Sequence, residues 1–238
     1  MNPEKIKKRL VFEKTHRMRF VGHLDMMRIF QRAISREGIE LAYSQGFNPH
    51  PRMSFARPLS LGQTSHVEIM ELELAKDIPN EELVRSVNSA LPVHLQILAC
   101  YDMPESAKPA MSLVTHAEYK ITLPETYRDE YAEDLAHFLE MPSITIQKLA
   151  KFKGRKQMVD LDIKPMLCSL ELTDPCTLKL LCLSTEKENL KPDRMMKVFW
   201  ESCGHPEEVG YELIERTGLY CQQEDDRLVD LISIMKDH

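Results

Sequence analysis

Within one ten-residue stretch the chain sets Gln45, Asn48, His50, Arg52 and Ser54, a dense group of hydrogen-bonding side chains with a guanidinium among them. Side-chain amides and an imidazole suit the edges of a base or a sugar, and the cationic content favours an anion. Pro49 and Pro51 bracket the histidine. Each proline fixes its own φ, so the segment can hold a shape without regular hydrogen bonding. Each also drives the residue before it, Asn48 and His50, toward extended backbone. Gly46 admits a positive φ or a close backbone approach. A loop that had only to turn would not need these side chains, and we read it as a ligand-contacting surface.

A second group opens at Gly22-His23-Leu24-Asp25, where a helix is expected to begin. Free backbone N–H groups and the positive end of the helix dipole attract anions there and lower the pKa of a neighbouring histidine. His23 is therefore expected to be neutral, while Asp25 also serves ordinary helix stabilisation. Farther along, Arg28, Arg32 and Arg36 recur at every fourth position and share one face. They span about 12 Å, enough for two successive phosphates on a nucleic-acid strand. A solvated helix face is the competing reading. His23 and His50 become candidate catalytic residues, an acid–base pair, if the fold brings them together. His23, Asp25 and His50 are metal-ligand types without the spacing of a closed site, so no metal is expected.

In the second half, Lys153 and Arg155 flank Gly154 in a basic, hairpin-like loop. It reads as a second phosphate contact or as a solvated turn. The chain has no phosphate-binding glycine loop, dinucleotide fingerprint, zinc knuckle or three-cysteine run for an iron–sulfur cluster. No cysteine sits in a recognisably activated setting. No cofactor is expected, and the chain does not read as a self-sufficient redox or nucleotide-hydrolysing enzyme.

The elements that must position these groups follow from periodicity and punctuation. Lys8–Lys14 reads as a strand, and Gly22 to about Glu37 as a helix closed by Gly38. Its apolar stripe is Met26, Met27, Phe30, Ala33 and Ile34. Ile39–Ala42 and Arg52–Phe55 are short strands on either side of the proline loop. His66–Leu74 alternates Val67, Ile69 and Leu72 with Glu68, Glu71 and Glu73, as a half-exposed strand would. A helix from Glu81 to about Ala90 and a strand at Leu95–Tyr101 complete the first half. Two prolines and small residues make 103–112 a linker. Beyond it come strands at Ala117–Leu123, Ile144–Ala150, Thr177–Ser184 and Gly210–Thr217, and at least one more within Met158–Leu172. Helices are expected at Arg128–Glu140 and Pro192–Ser202. The fold class is α+β: two ferredoxin-like α/β-sandwich halves, with mostly antiparallel sheets and helices on one face. The division is a basic N-terminal domain at 1–102, the linker, and an acidic C-terminal domain at 113–238.

Charge agrees with that division. Residues 1–60 carry 12 Lys+Arg against 5 Asp+Glu, although the whole 238-residue chain has a net charge of −6. A basic end on an acidic body suits a polyanion-facing region, though a solvated basic surface would look the same. No apolar run is long enough to span a bilayer, and the basic N-terminus lacks the apolar stretch of a secretory signal. Six cysteines without paired spacing suit reduced thiols in the cytoplasm.

Arg9–Phe12, Arg19-Phe20-Val21-Gly22-His23-Leu24-Asp25 and Tyr43–Leu61 together resemble a bacterial family of unknown function known as radical-SAM-linked proteins. Asp162-Ile163-Lys164-Pro165 and Arg216–Tyr220 extend the resemblance weakly along nearly the whole chain. Gly22 stands where a serine is common and Lys164 where an arginine is common. The resemblance implies a stand-alone form of a module otherwise found at the end of a radical-SAM protein, associated with radical-SAM chemistry on RNA. It supplies no catalytic residue. The leading expectation is an RNA-binding or substrate-presenting accessory module, with Arg28, Arg32, Arg36 and Arg52 on phosphates and Gln45, Asn48 and His50 on a base or sugar. The alternatives are an enzyme using His23 and His50, and a protein-interaction module that docks a radical-SAM partner.

Overall fold

The computed structural model describes residues 6–152, 155–210 and 212–236. The chain divides into two compact units, Met1–Thr115 with Arg216–His238, and His116–Glu215. The sequence reading gives all of 113–238 to the second half, whereas the residues from Arg216 onward group with the first. Both units mix helices with antiparallel strand pairs.

In the first unit, β1 (Ile6–Lys14) leads into α1 (His23–Arg36), β2 (Met53–Phe55), β3 (Thr64–Leu74), α2 (Asn80–Ala90), β4 (Leu95–Met103) and the short α3 (Ala110–Leu113). The strands run β4-β1-β3, with β2 also on β3. The β1–β3, β1–β4 and β2–β3 pairs are all antiparallel. The α1 helix forms because Met26, Phe30, Ala33 and Ile34 recur on one side and are all buried. It stops at Gly38, whose φ of +70° only a glycine adopts easily. Gly38 N–H then donates to Ser35 O and Ile39 N–H to Ile34 O, the paired bonds that close a helix on a left-handed residue. Leu83 and Val87 of α2 join Phe30 and Ile34 of α1 over Leu10, Phe12, Met70, Leu72 and Ile97, so both helices cover the same face of the sheet.

The sequence places Glu68 on the solvent side of β3. In the structure it is 2% exposed, and Arg216 Nη1 donates to it at 2.9 Å. Side chains alternate along a strand, so Glu68 shares its face with Met70, Leu72 and Leu74. The partner that makes its burial tolerable lies 148 residues away in the chain.

The second unit holds β5 (His116–Thr122), α4 (Tyr131–Glu140), the β6 (Thr145–Phe152) and β7 (Arg155–Asp162) hairpin, β8 (Leu167–Asp174), β9 (Thr177–Leu183) and α5 (Pro192–Ser202). The β5–β9 and β8–β9 pairs are antiparallel. Phe138 on α4 meets Phe199 on α5 edge-on at 5.5 Å. The strand β10 (Leu213–Gln222) then passes into the first unit, where it pairs with β11 (Leu228–Asp230), and α6 (Leu231–Lys236) follows. No helix among the described residues is long and apolar enough to cross a membrane.

Candidate functional site

The proline loop is closed by its backbone and open in its side chains. Ser44 N–H donates to His50 O at 2.8 Å, and His50 N–H donates to Ser44 Oγ at 3.0 Å. A bridge between Tyr43 and Pro51 shuts the base. Gly46 takes a φ of +125°, as the sequence anticipates for a tight reversal. Across this frame the side chains of Gln45, Asn48 and His50 are exposed, with no hydrogen bond to any described residue. Phe47 at the tip stands entirely in solvent at 113% relative exposure, and Tyr43 at the base is 53% exposed. Neither aromatic is singled out by the sequence reading. The available signal is a phenylalanine outside any apolar period.

Arg28, Arg32 and Arg36 lie on the solvent side of α1. Arg28 is paired with Asp25 at 2.8 Å, while Arg32 and Arg36 have no ion pair among the described residues. A cleft of about 380 Å³ runs between Gln31 and Ser35 of α1 and Tyr43 at the base of the loop. Glu40 also lines this cleft, and the three α1 arginines stand outside its lining.

His23 occupies the first turn of α1, after a glycine that offers no side-chain cap. Its ring packs edge-on against Phe55 at 5.2 Å, and its Nδ1 is buried without a hydrogen-bond partner among the described residues. Burial lowers its pKa from 6.5, which favours the neutral ring. No hydrogen bond or ring contact joins His23 to His50.

Arg52 and Ser54 face another way. Met53 and Phe55 point into the core beneath the helices, so Arg52 and Ser54 between and beside them belong to the opposite sheet face. Two cross-strand rows lie there. In one, Arg9 of β1 stands opposite Glu71 of β3, which stands opposite Ser54 of β2. In the next, Lys7 stands opposite Glu73, beside Arg52. The grouping of Arg52 with Arg28, Arg32 and Arg36 on one basic face therefore does not hold geometrically: the three α1 arginines sit on the helix side and Arg52 on the open side. Lys7, Arg52, Ser54 and Glu73 line a cleft of about 300 Å³, walled by Met103, Ala107 and Pro109. The 103–112 segment read as a linker is pinned to this face. Arg9 Nη2 donates to Lys108 O at 2.8 Å, and Ala110 N–H donates to Glu71 Oε1 at 2.8 Å.

In the second unit, Lys153 lies outside the described residues, and Arg155 opens β7. Asp162 accepts the N–H groups of Ile144 and Lys164, and Lys164 Nζ donates to the carbonyls of Leu139 and Met141 at the end of α4. Those residues hold a turn together, which accounts for them without a ligand.

Residues 7–192 match the family described as "Uncharacterized protein conserved in bacteria (DUF2344)". No curated protein matches the chain. A solved structure, "Crystal Structure of an Unknown Protein from Galdieria sulphuraria", is similar at 12% identity with a TM-score of 0.28. That likeness covers 90% of this chain and 98% of the other, and is too slight to inform the fold.

Proposed function

The chain belongs to that bacterial family of uncharacterized proteins, and we propose that it is an RNA-binding accessory module that presents unpaired RNA to a radical-SAM enzyme. One observation carries the RNA reading. A backbone-closed loop lifts a fully exposed Phe47 beside the unengaged side chains of Gln45, Asn48 and His50. Unstacked bases bind aromatic faces and offer their edges to amides, and a rigid loop loses little entropy on binding. Arg32 and Arg36, exposed on α1 and without an ion pair among the described residues, take the phosphates. Arg28 contributes less, because Asp25 already pairs with it. Lys153 and Arg155 stand as a second phosphate contact on the sequence argument alone.

The radical-SAM partner rests on the sequence resemblance. The ferredoxin-like reading is supported by the β-α-β-β-α-β order of the first unit and by the pairing of β1 with β4 and β3 and of β2 with β3, although β10 also pairs with β3. Exposed Phe20, Leu24 and Leu61 offer the partner apolar contacts, with the Gly62 N–H bond to Arg19 O bringing the segment after Leu61 to the one that carries Phe20.

The test is anisotropy titration of single-stranded RNA at about 50 and 200 mM salt. Wild-type affinity should fall steeply with salt. Phe47→Ala should cost about 1–3 kcal/mol of binding, and Arg32→Ala with Arg36→Ala should flatten the salt slope. Binding that is absent, or indifferent to all three changes, removes the proposal.

A further inference from the structure

We infer that the cleft on the open sheet face is a binding site for a free α-amino acid with an apolar side chain. Lys7, Glu73 and Arg52 form a row of alternating charge, plus, minus, plus, across its floor. None of the three is held by a short charge-assisted bond, although Arg52 Nε also donates to Tyr43 O at 3.4 Å. Lys7 has no ion pair among the described residues. Arg52 reaches Glu73 only at 3.3 Å, longer than the roughly 2.7–2.9 Å of a good charge-assisted bond. The Arg52 and Glu73 side chains keep 39% and 18% of their surface exposed.

The alternation decides the ligand class. A purely anionic ligand placed between Lys7 and Arg52 would meet the Glu73 carboxylate. A purely cationic ligand drawn to Glu73 would meet a cation on each side. An α-amino acid carries an ammonium and a carboxylate on one carbon, so its ammonium can donate to Glu73 while its carboxylate accepts from Arg52 and Lys7. Ser54 Oγ, exposed at the rim, can accept from the same ammonium. Met103, Ala107 and Pro109 then offer an apolar wall for the side chain. The size agrees, since about 300 Å³ is at the small end of the roughly 300–1,000 Å³ range of ligand pockets. Glu71 also lines the cleft, but its Oε1 is already taken by Arg9 and the Ala110 N–H, so Glu73, reached only loosely by Arg52, is the more available carboxylate.

The experiment is calorimetric titration of the full chain with L-leucine, L-phenylalanine, N-acetyl-L-leucine, L-leucinamide and inorganic phosphate. Leucine or phenylalanine should bind. Blocking either the amine or the carboxylate should weaken leucine at least about tenfold. Glu73→Gln should abolish the preference for leucine over its N-acetyl form, and Lys7→Ala should reduce the preference over the amide. Both variants should melt as wild type does. Phe47→Ala should bind leucine as wild type does, which separates this site from the RNA surface. Equal binding of leucine and its blocked forms, phosphate binding as tightly as leucine, or no heat at millimolar amino acid would each overturn the assignment.

Discussion

Arg9 and Glu71 face each other across β1 and β3, and Lys7 and Glu73 do the same two residues along. The first pair is the more tightly held: Arg9 Nε donates to Glu71 Oε1 at 2.8 Å, the Lys108 carbonyl accepts from Arg9 Nη2, and the Ala110 N–H donates to the same Glu71 oxygen. The second pair is left open at the cleft, with Arg52 a loose third member. Residue type does not separate these rows, since each sets a base opposite a glutamate. What separates them is whether the folded-back 108–110 segment covers the charges. The same contrast recurs in the motifs. Arg216 and Lys164 are consumed inside the protein by Glu68 and by helix-end carbonyls. The side chains of Gln45, Asn48 and His50 are held out by a closed backbone and bond to nothing described. Polar groups used up internally build the fold, and those held in place but unused are available for a ligand.

The largest effect that sharpens this contrast should come from the buried pair. Glu68→Gln leaves Arg216 as a buried cation near Lys14, whose own pKa is lowered chiefly by burial. Removing one partner of such a pair costs about 3–5 kcal/mol, so denaturant unfolding should shift strongly or the protein should fail to accumulate. Arg9→Ala should be milder, about 2–3 kcal/mol, because Glu71 keeps 14% of its surface in water and the Ala110 N–H. On the open row, Lys7→Ala and Glu73→Gln should each change stability by less than about 0.5 kcal/mol. Large losses there, measured in the same unfolding series, would mean that the open row holds the fold together as the Arg9–Glu71 row does.

A pH series gives a smaller effect. Burial lowers the pKa of His23 in the first unit and of His116 in the second from 6.5. Each then binds its proton more readily when unfolded, so stability is full above about pH 6.5 and falls as pH drops toward the lower folded values. His23→Leu should flatten the difference in denaturation midpoint between about pH 7.5 and 5.5. An unchanged or steeper difference would mean that His23 is not held neutral.

Local order is largely legible in the sequence. The stripe on α1, its stop at Gly38 and the shape of the proline loop follow from spacing and from backbone limits on glycine and proline. What the sequence hides is long-range. Glu68 looks like a solvent residue until β10 brings Arg216 to it, and 103–112 looks like a linker until Arg9 and Glu71 pin it. The face on which Arg52 lies depends on the register of β2 against β3, which no local pattern fixes. Phe47 stays hidden because an aromatic outside a period carries no pattern; only its full exposure marks it.

Whether the loop takes RNA is read by ultraviolet crosslinking of the purified chain to a single-stranded RNA, with the crosslinked peptide identified by mass spectrometry. A loop that stacks a base should crosslink within Tyr43–Arg52, centred on Phe47, and the adduct should vanish in Phe47→Ala while the protein stays folded. Crosslinks confined to the second unit, or none at all, would mean that the loop does not bind RNA.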